Sequence, residues 1–182
     1  MSDTKTNPKP VIESRVFLWW HALVIFVIAN LVSALPVGYG GDKIFYNNFE
    51  QPQFSPPDWL FAPMWLFLNV TSLMALSIVA NLPERSIRRR TFLIFEGVGW
   101  VLFAIFTTIY FLMRSPILGA VDTVAGLAVG FASLACCVGI GQRRATFFIL
   151  LRVIWLCLAS YVSVYVAFHN TDEFFYNIGW VR

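Results

Sequence analysis

Charge is scarce in this sequence. Asp, Glu, Lys and Arg make up 13% of its 182 residues, about half of the roughly 25% found in a soluble domain. A disordered tail, which is polar and charged, is excluded on that ground. The net charge is only +3, and no basic patch with interleaved aromatics is present, so no nucleic-acid partner is expected. Cysteine is scarce as well. Cys136 and Cys137 are adjacent and Cys157 follows twenty residues on, which is neither a metal spacing nor a disulfide framework. All three lie in apolar runs and read as small buried hydrophobes. Paired carboxylates, nucleophile–base spacings, metal-ligand clusters and phosphate-binding glycine loops are also missing, so no catalytic residue and no metal ligand is nominated.

What the chain has in excess is apolar surface. It is 58% hydrophobic with a mean hydropathy of +0.70. A water-soluble chain of this size buries only about 70% of its extended surface, which would leave too much of this one wet. An all-α integral membrane protein resolves the conflict, with the lipid bilayer as its first partner. Five apolar segments, at about 16–38, 59–82, 92–113, 117–139 and 145–168, each approach the ~20 residues a helix needs to cross a ~30 Å core. Backbone in lipid must bond internally, so these are helices. The single five-helix domain, 16–168, is flanked by a polar N-terminal tail, 1–15, and a C-terminal tail, 169–182. The tail at 1–15 has no signal-peptide pattern.

Nine basic residues, Arg88, Arg89 and Arg90 among them, fall on one side of this arrangement, and Lys43, Arg114 and Arg182 on the other. The positive-inside rule then puts the N-terminus on the cytoplasmic side and the C-terminus opposite. Topology accounts for the arginine run, and a lipid-headgroup site is the alternative. Trp19, Trp20, Trp59 and Trp65 suit the interfacial aromatic belt. Trp100 and Trp155 lie deeper, either packing a helix interface or lining a cavity.

The stretch 39–58 is not a plain linker. Pro52, Pro56 and Pro57 stiffen it, and aromatic residues alternate with them. Asp58 is placed to cap the second helix and complement its dipole, and Pro63 falls in that helix's first turns. Long ordered loops are usually functional.

The pattern Tyr46-x-x-Phe49-x-x-Pro52-x-Phe54-x-Pro56-Pro57-x-Trp59-x-Phe61-x-Pro63-x-Trp65 resembles the signature of the tryptophan-rich sensory protein and translocator protein family, also called peripheral-type benzodiazepine receptors. The spacing agrees without a gap, and five spans fit the family. Farther on, Phe106-Thr107-Thr108-Ile109-Tyr110-Phe111, Pro116, Val121-Asp122 and Trp155-x-x-x-Ala159-Ser160 keep family spacing. Several family residues are replaced. The loop Trp falls on Phe54, a second-span Tyr on Asn69, a third-span Asn and Trp on Phe103 and Phe106, and a fifth-span Pro-Tyr on Leu151-Arg152. The chain looks like a divergent member.

The resemblance implies a bundle with a cavity under the 39–58 loop, taking porphyrins, haem-type tetrapyrroles or other planar hydrophobic molecules, with no obligatory cofactor. The implied ligand-binding residues are Tyr46, Phe49, Pro52, Phe54, Pro56, Pro57, Trp59, Trp65, Asn69, Phe103, Phe106, Asp122, Trp155 and Ala159. Receptor, sensor and carrier roles all follow from such a site. Light-driven porphyrin degradation, reported for some bacterial members, is disfavoured by Phe54, which lacks the indole donor and is harder to oxidise. An accessory subunit that kept the fold and lost the ligand is the competing reading. A sterol motif needs a basic residue shortly after a Tyr, and none follows Tyr165 or Tyr176 within five positions.

Four ionisable residues fall inside the spans, where such groups are rare and face the protein interior. At ~1.5 Å per residue, His21 lies roughly 8 Å from the cytoplasmic end, Glu96 roughly 6 Å and Arg152 about 11–12 Å. The expected cluster pairs Arg152 with Glu96, supported by His21. The alternative is snorkelling to the headgroups. A lone His21 offers haem iron at best one axial ligand. Asp122, about 8 Å from the opposite face by the same rise, is either a polar wall of the cavity, an anchor for the loop, or a hydrogen-bond partner of a neighbouring helix end. Gly126-x-x-x-Gly130 is a close-packing face, within the monomer or between two protomers of a homodimer. A membrane-complex partner is the other possible neighbour.

Overall fold

The computed structural model describes residues 16–36, 48–83 and 86–176, and the described residues are helical with no strand. In chain order the helices are α1 (Trp19–Ala34), α2 (Asp58–Ala80), α3 (Ile87–Thr107), α4 (Pro116–Ile140) and α5 (Arg143–His169), with a π turn at Thr108–Leu112 extending α3. Four segments are long and apolar enough to cross a membrane: α2, α3 with its π turn, α4 and α5. α1 is a shorter apolar helix of 16 residues, about 24 Å long at 1.5 Å per residue.

Local chemistry sets the helix bounds. The Ser86 hydroxyl caps α3 by accepting from Arg89 N at 3.3 Å, so the helix begins at Ile87 rather than near 92. The arginine run 88–90 is therefore helix, not loop. α4 opens with Ser115 as cap, its Oγ accepting from Leu118 N at 3.1 Å, and Pro116 follows in the first turn. It ends at Gly141, whose φ of +80° lies in the left-handed region that glycine adopts without a Cβ penalty. Only Gly141 and Gln142 separate α4 from α5, and Arg143 and Arg144 belong to α5. α2 begins with Asp58, whose carboxylate accepts from Trp59 N at 2.7 Å and meets the positive end of the helix dipole.

α5 packs most extensively on α4 and also on α2, while α3 packs on α4 and carries α1. Gly130 allows the closest approach of α4 to α5. A Cβ there would sit 3.2 Å from a Val153 methyl, and one at Gly126 would meet Leu156 at 3.7 Å. The Gly126–Gly130 face is thus spent on packing within the chain. Large apolar side chains such as Ile28, Val101, Val121, Phe131 and Ile154 point outward, as suits helices whose outer faces meet lipid tails.

At one end of the bundle two arginines of α3 close the carboxyl ends of its neighbours. Arg88 donates to Gly139 O on α4 at 2.7 Å, and Arg89 donates to Val79 O and Ala80 O on α2 at 3.2 and 2.6 Å. Each cation thereby meets the negative end of a helix dipole. Asn81, just past α2, exchanges two hydrogen bonds with the backbone of Phe17 at 2.8 and 2.9 Å, tying the start of α1 to the end of α2.

At the opposite end, the residues just after α5 bond to the start of α4. Asp172 is buried, and its Oδ2 accepts from Ser115 Oγ at 2.7 Å and from Ile117 N at 2.9 Å. It caps α4 across 55 residues of sequence.

Candidate functional site

Three helices bring charge together in mid-bundle. Arg152 of α5 forks onto Glu96 of α3, with Nη1 to Oε2 at 2.9 Å and Nη2 to Oε1 at 2.5 Å, and Nη1 also donates to Ser72 Oγ of α2 at 3.2 Å. Glu96 is fully buried and Arg152 is 9% exposed. This two-pronged geometry is the strong form of an Arg–carboxylate contact. Arg152 and Glu96 each stand nine residues from the start of their helices, so the two lie at one level, about 13–14 Å along the helices from their arginine-bearing ends. His21 does not join this pair. Its Nδ1 accepts from Leu18 N at 2.9 Å and its ring lies against Trp20 and Phe17. It terminates α1 at the arginine end instead.

Beyond the ion pair, away from the arginine end, α2, α3 and α5 present aromatic rings. Trp65 meets Phe103 with centroids 5.6 Å apart, Trp100 meets Phe103 edge-on at 6.0 Å, and Phe61 meets Trp155 edge-on at 5.6 Å. The spacing follows from helix periodicity. Phe61 and Trp65 are four residues apart on α2, as are Glu96 and Trp100 on α3, and such pairs share a face. The rings offer flat apolar faces and positive edges. Polar capacity remains among them: the indole Nε1 atoms of Trp100 and Trp155 are buried with no hydrogen-bond partner among the described residues, as is Oδ1 of Asp122 on α4. Asn69 is buried, and its Nδ2 donates to Asn30 Oδ1 on α1 at 3.3 Å. Ala159 is buried on α5, four residues beyond Trp155.

The π turn shapes the outer end. It swings Tyr110 inward onto Gly119, where a Cβ would lie 2.5 Å from the ring. Phe106 stacks on the same ring at 5.4 Å and Phe49 meets it edge-on at 6.3 Å. The 48–57 segment is fixed to the end of α5. Glu50 N donates to Asn170 Oδ1 at 2.7 Å, Asn170 Nδ2 donates back to Glu50 O at 3.1 Å, and Tyr165 OH donates to Glu50 Oε1 at 3.0 Å. Within it Pro52 is buried and Pro56 half-buried, whereas Pro57 caps α2 in the open.

The expected ligand residues are not all brought together. Phe49, Trp65, Phe103, Phe106, Asp122 and Trp155 turn toward neighbouring helices, but Phe54 is 72% exposed and Trp59 70% exposed. Tyr46 lies outside the described residues. Asp122 makes no bond to the 48–57 segment or to a helix end; Asp172 caps α4, and Asn170 holds the segment. Among the described residues no three His, Cys, Asp or Glu gather as metal ligands. Ser72, Glu50, Asn170 and Asp172 carry no sequence signal that singles them out, because isolated polar residues within and around apolar spans are common.

The TspO/MBR family pattern matches residues 21–169, which takes in α2 to α5 and all but the first two residues of α1. The chain belongs to the TspO/MBR family. Similar proteins include the tryptophan-rich protein TspO of Chlorobaculum tepidum, 27% identical across 71% of this chain and 85% of that protein. The tryptophan-rich protein TspO of Archaeoglobus fulgidus is 23% identical across 56% of this chain and 70% of its own. Within the TspO/MBR frame, the Arg152–Glu96–Ser72 contact stands where α2, α3 and α5 converge.

Proposed function

We propose that this TspO/MBR member is a five-span membrane protein, with α1 as the fifth span. It binds a planar hydrophobic ligand of the porphyrin or tetrapyrrole class among Phe61, Trp65, Trp100, Phe103 and Trp155, beneath the segment that joins α1 to α2. The observation that carries this reading is the unpaired polar capacity inside that aromatic set. A buried donor or acceptor without a partner costs about 1–3 kcal/mol, and native proteins leave few of them. Two buried indole N–H groups suit a flat ligand with acceptors on its rim, which would stack on the rings and take these bonds. The Arg152–Glu96 pair forms the floor below the ligand. The arginine end faces the cytoplasm by the positive-inside rule.

A 24 Å helix is compatible with α1 as a span, since apolar residues flank it at Val16–Leu18 and at Leu35. Titration of the detergent-solubilised protein with protoporphyrin tests the proposal. Saturable quenching of tryptophan fluorescence in the micromolar range is expected, and a strictly linear response in both detergent and lipid contradicts it. The outward Phe54 and Trp59 favour a second reading, an accessory subunit without a ligand. That reading predicts co-purification with a larger membrane complex and no saturable binding.

A further inference from the structure

A hollow lies on the arginine side of the ion-pair plane, apart from the aromatic set. It is a cavity of about 360 Å³ between α1 and the adjoining ends of α2 and α3, walled by Phe17, Trp20, Ile25, Leu76 and Leu93, with His21 and Arg89 as its polar groups. That volume falls in the ~300–1,000 Å³ range of small-molecule sites.

Its depth is informative. On α3 it runs from Arg89 to Leu93 and on α2 from Ala80 to Leu76, four residues inward on each, or about 6 Å. The hollow therefore stays within one leaflet of a ~30 Å core, at the depth of a lipid's glycerol backbone and upper acyl chain. Its charge is one-sided. Arg89 is held by two backbone carbonyls and Arg88 by one, so both are immobilised without being neutralised. Among the described residues neither has a carboxylate partner, and the ion pairs there are Arg114–Glu173 and Arg152–Glu96. A pre-positioned cation beside an apolar slot at headgroup depth is complementary to an anionic amphiphile. The geometry points to one occupant: an anionic phospholipid of the arginine-side leaflet, its upper acyl chain between α1 and α2 and its phosphate at Arg89.

The test is native mass spectrometry of the full-length protein released from bilayer nanodiscs of equimolar phosphatidylglycerol and phosphatidylcholine with identical chains. The wild type should retain one phosphatidylglycerol with a preference of about fivefold or more, the scale of one basic side chain near an anionic surface. Val24→Trp, which fills the slot from the exposed side of α1, should lose the retained lipid while helicity by circular dichroism is unchanged. Val101→Trp, at an outward position on α3, should keep it. Arg89→Gln should erase the headgroup preference. Arg89→Lys, which keeps the charge but not the two-carbonyl grip, should preserve it and so separates charge recognition from capping of α2. Equal retention of both lipids by the wild type overturns the inference, as does undiminished retention in Val24→Trp.

Discussion

Arg152 illustrates how one residue constrains a bundle. Its guanidinium is buried between helices, where leaving the ion unpaired is expensive, and Glu96 and Ser72 supply three donor–acceptor contacts. Removing one partner of a buried pair costs about 3–5 kcal/mol, whereas replacing both with apolar residues is often neutral. Arg152→Met and Glu96→Leu should each destabilise by that amount in denaturant titrations in detergent, and the double variant should recover most of it. Single variants as stable as the wild type would show that the pair does not hold the helices. A second residue-scale test is Gly119→Ala, whose methyl would meet the Tyr110 ring. A cost of about 1–3 kcal/mol is expected for such overpacking, and Tyr110→Leu in the same chain should relieve it. The Arg152–Glu96 contact was legible from sequence because charges inside spans seek partners. His21 was misplaced because a depth count does not report which backbone group a side chain caps; its Nδ1 accepts from Leu18 N at the start of α1 instead. Ser72 was not legible, since a serine in an apolar helix has many uses.

At the scale of elements, helix ends are closed by residues remote in sequence. Arg88 and Arg89 serve the ends of α4 and α2, and Asp172 serves the start of α4. Asp172→Ala removes a cap and should cost about 0.5–2 kcal/mol, measurable as a lowered midpoint in the same titrations. An unchanged midpoint would mean that Ser115 alone suffices. The 48–57 segment depends on Asn170, which makes two bonds to the Glu50 backbone. Asn170→Ala should speed hydrogen exchange at 48–57 while leaving α2–α5 protected; equal exchange would place the restraint elsewhere. Long apolar runs made α2 to α5 readable, with bounds displaced by one to five residues. The caps were not readable, because hydropathy reports what is greasy and not where a backbone amide finds its acceptor. The same blindness hid the π turn, which hydropathy merges into α3 and which turns Tyr110 inward.

For the whole molecule, the family pattern and the four long apolar helices agree on a TspO/MBR membrane protein. The proline-aromatic spacing after α1 made the family legible, because it is a fixed pattern of rigid and flat residues. Which of those aromatics face inward was not legible, since a motif records residue type but not helix rotation; Phe54 and Trp59 point outward. The central claim, that a planar guest sits among the inner rings, predicts different behaviour for tryptophans in the two settings. The most direct measurement is a porphyrin titration of two single-tryptophan variants, one retaining only the buried Trp155 and the other only the exposed Trp59. Saturable quenching of Trp155 with only linear partition-type quenching of Trp59 is the predicted result. Linear quenching of both, or saturation at Trp59 alone, would contradict it.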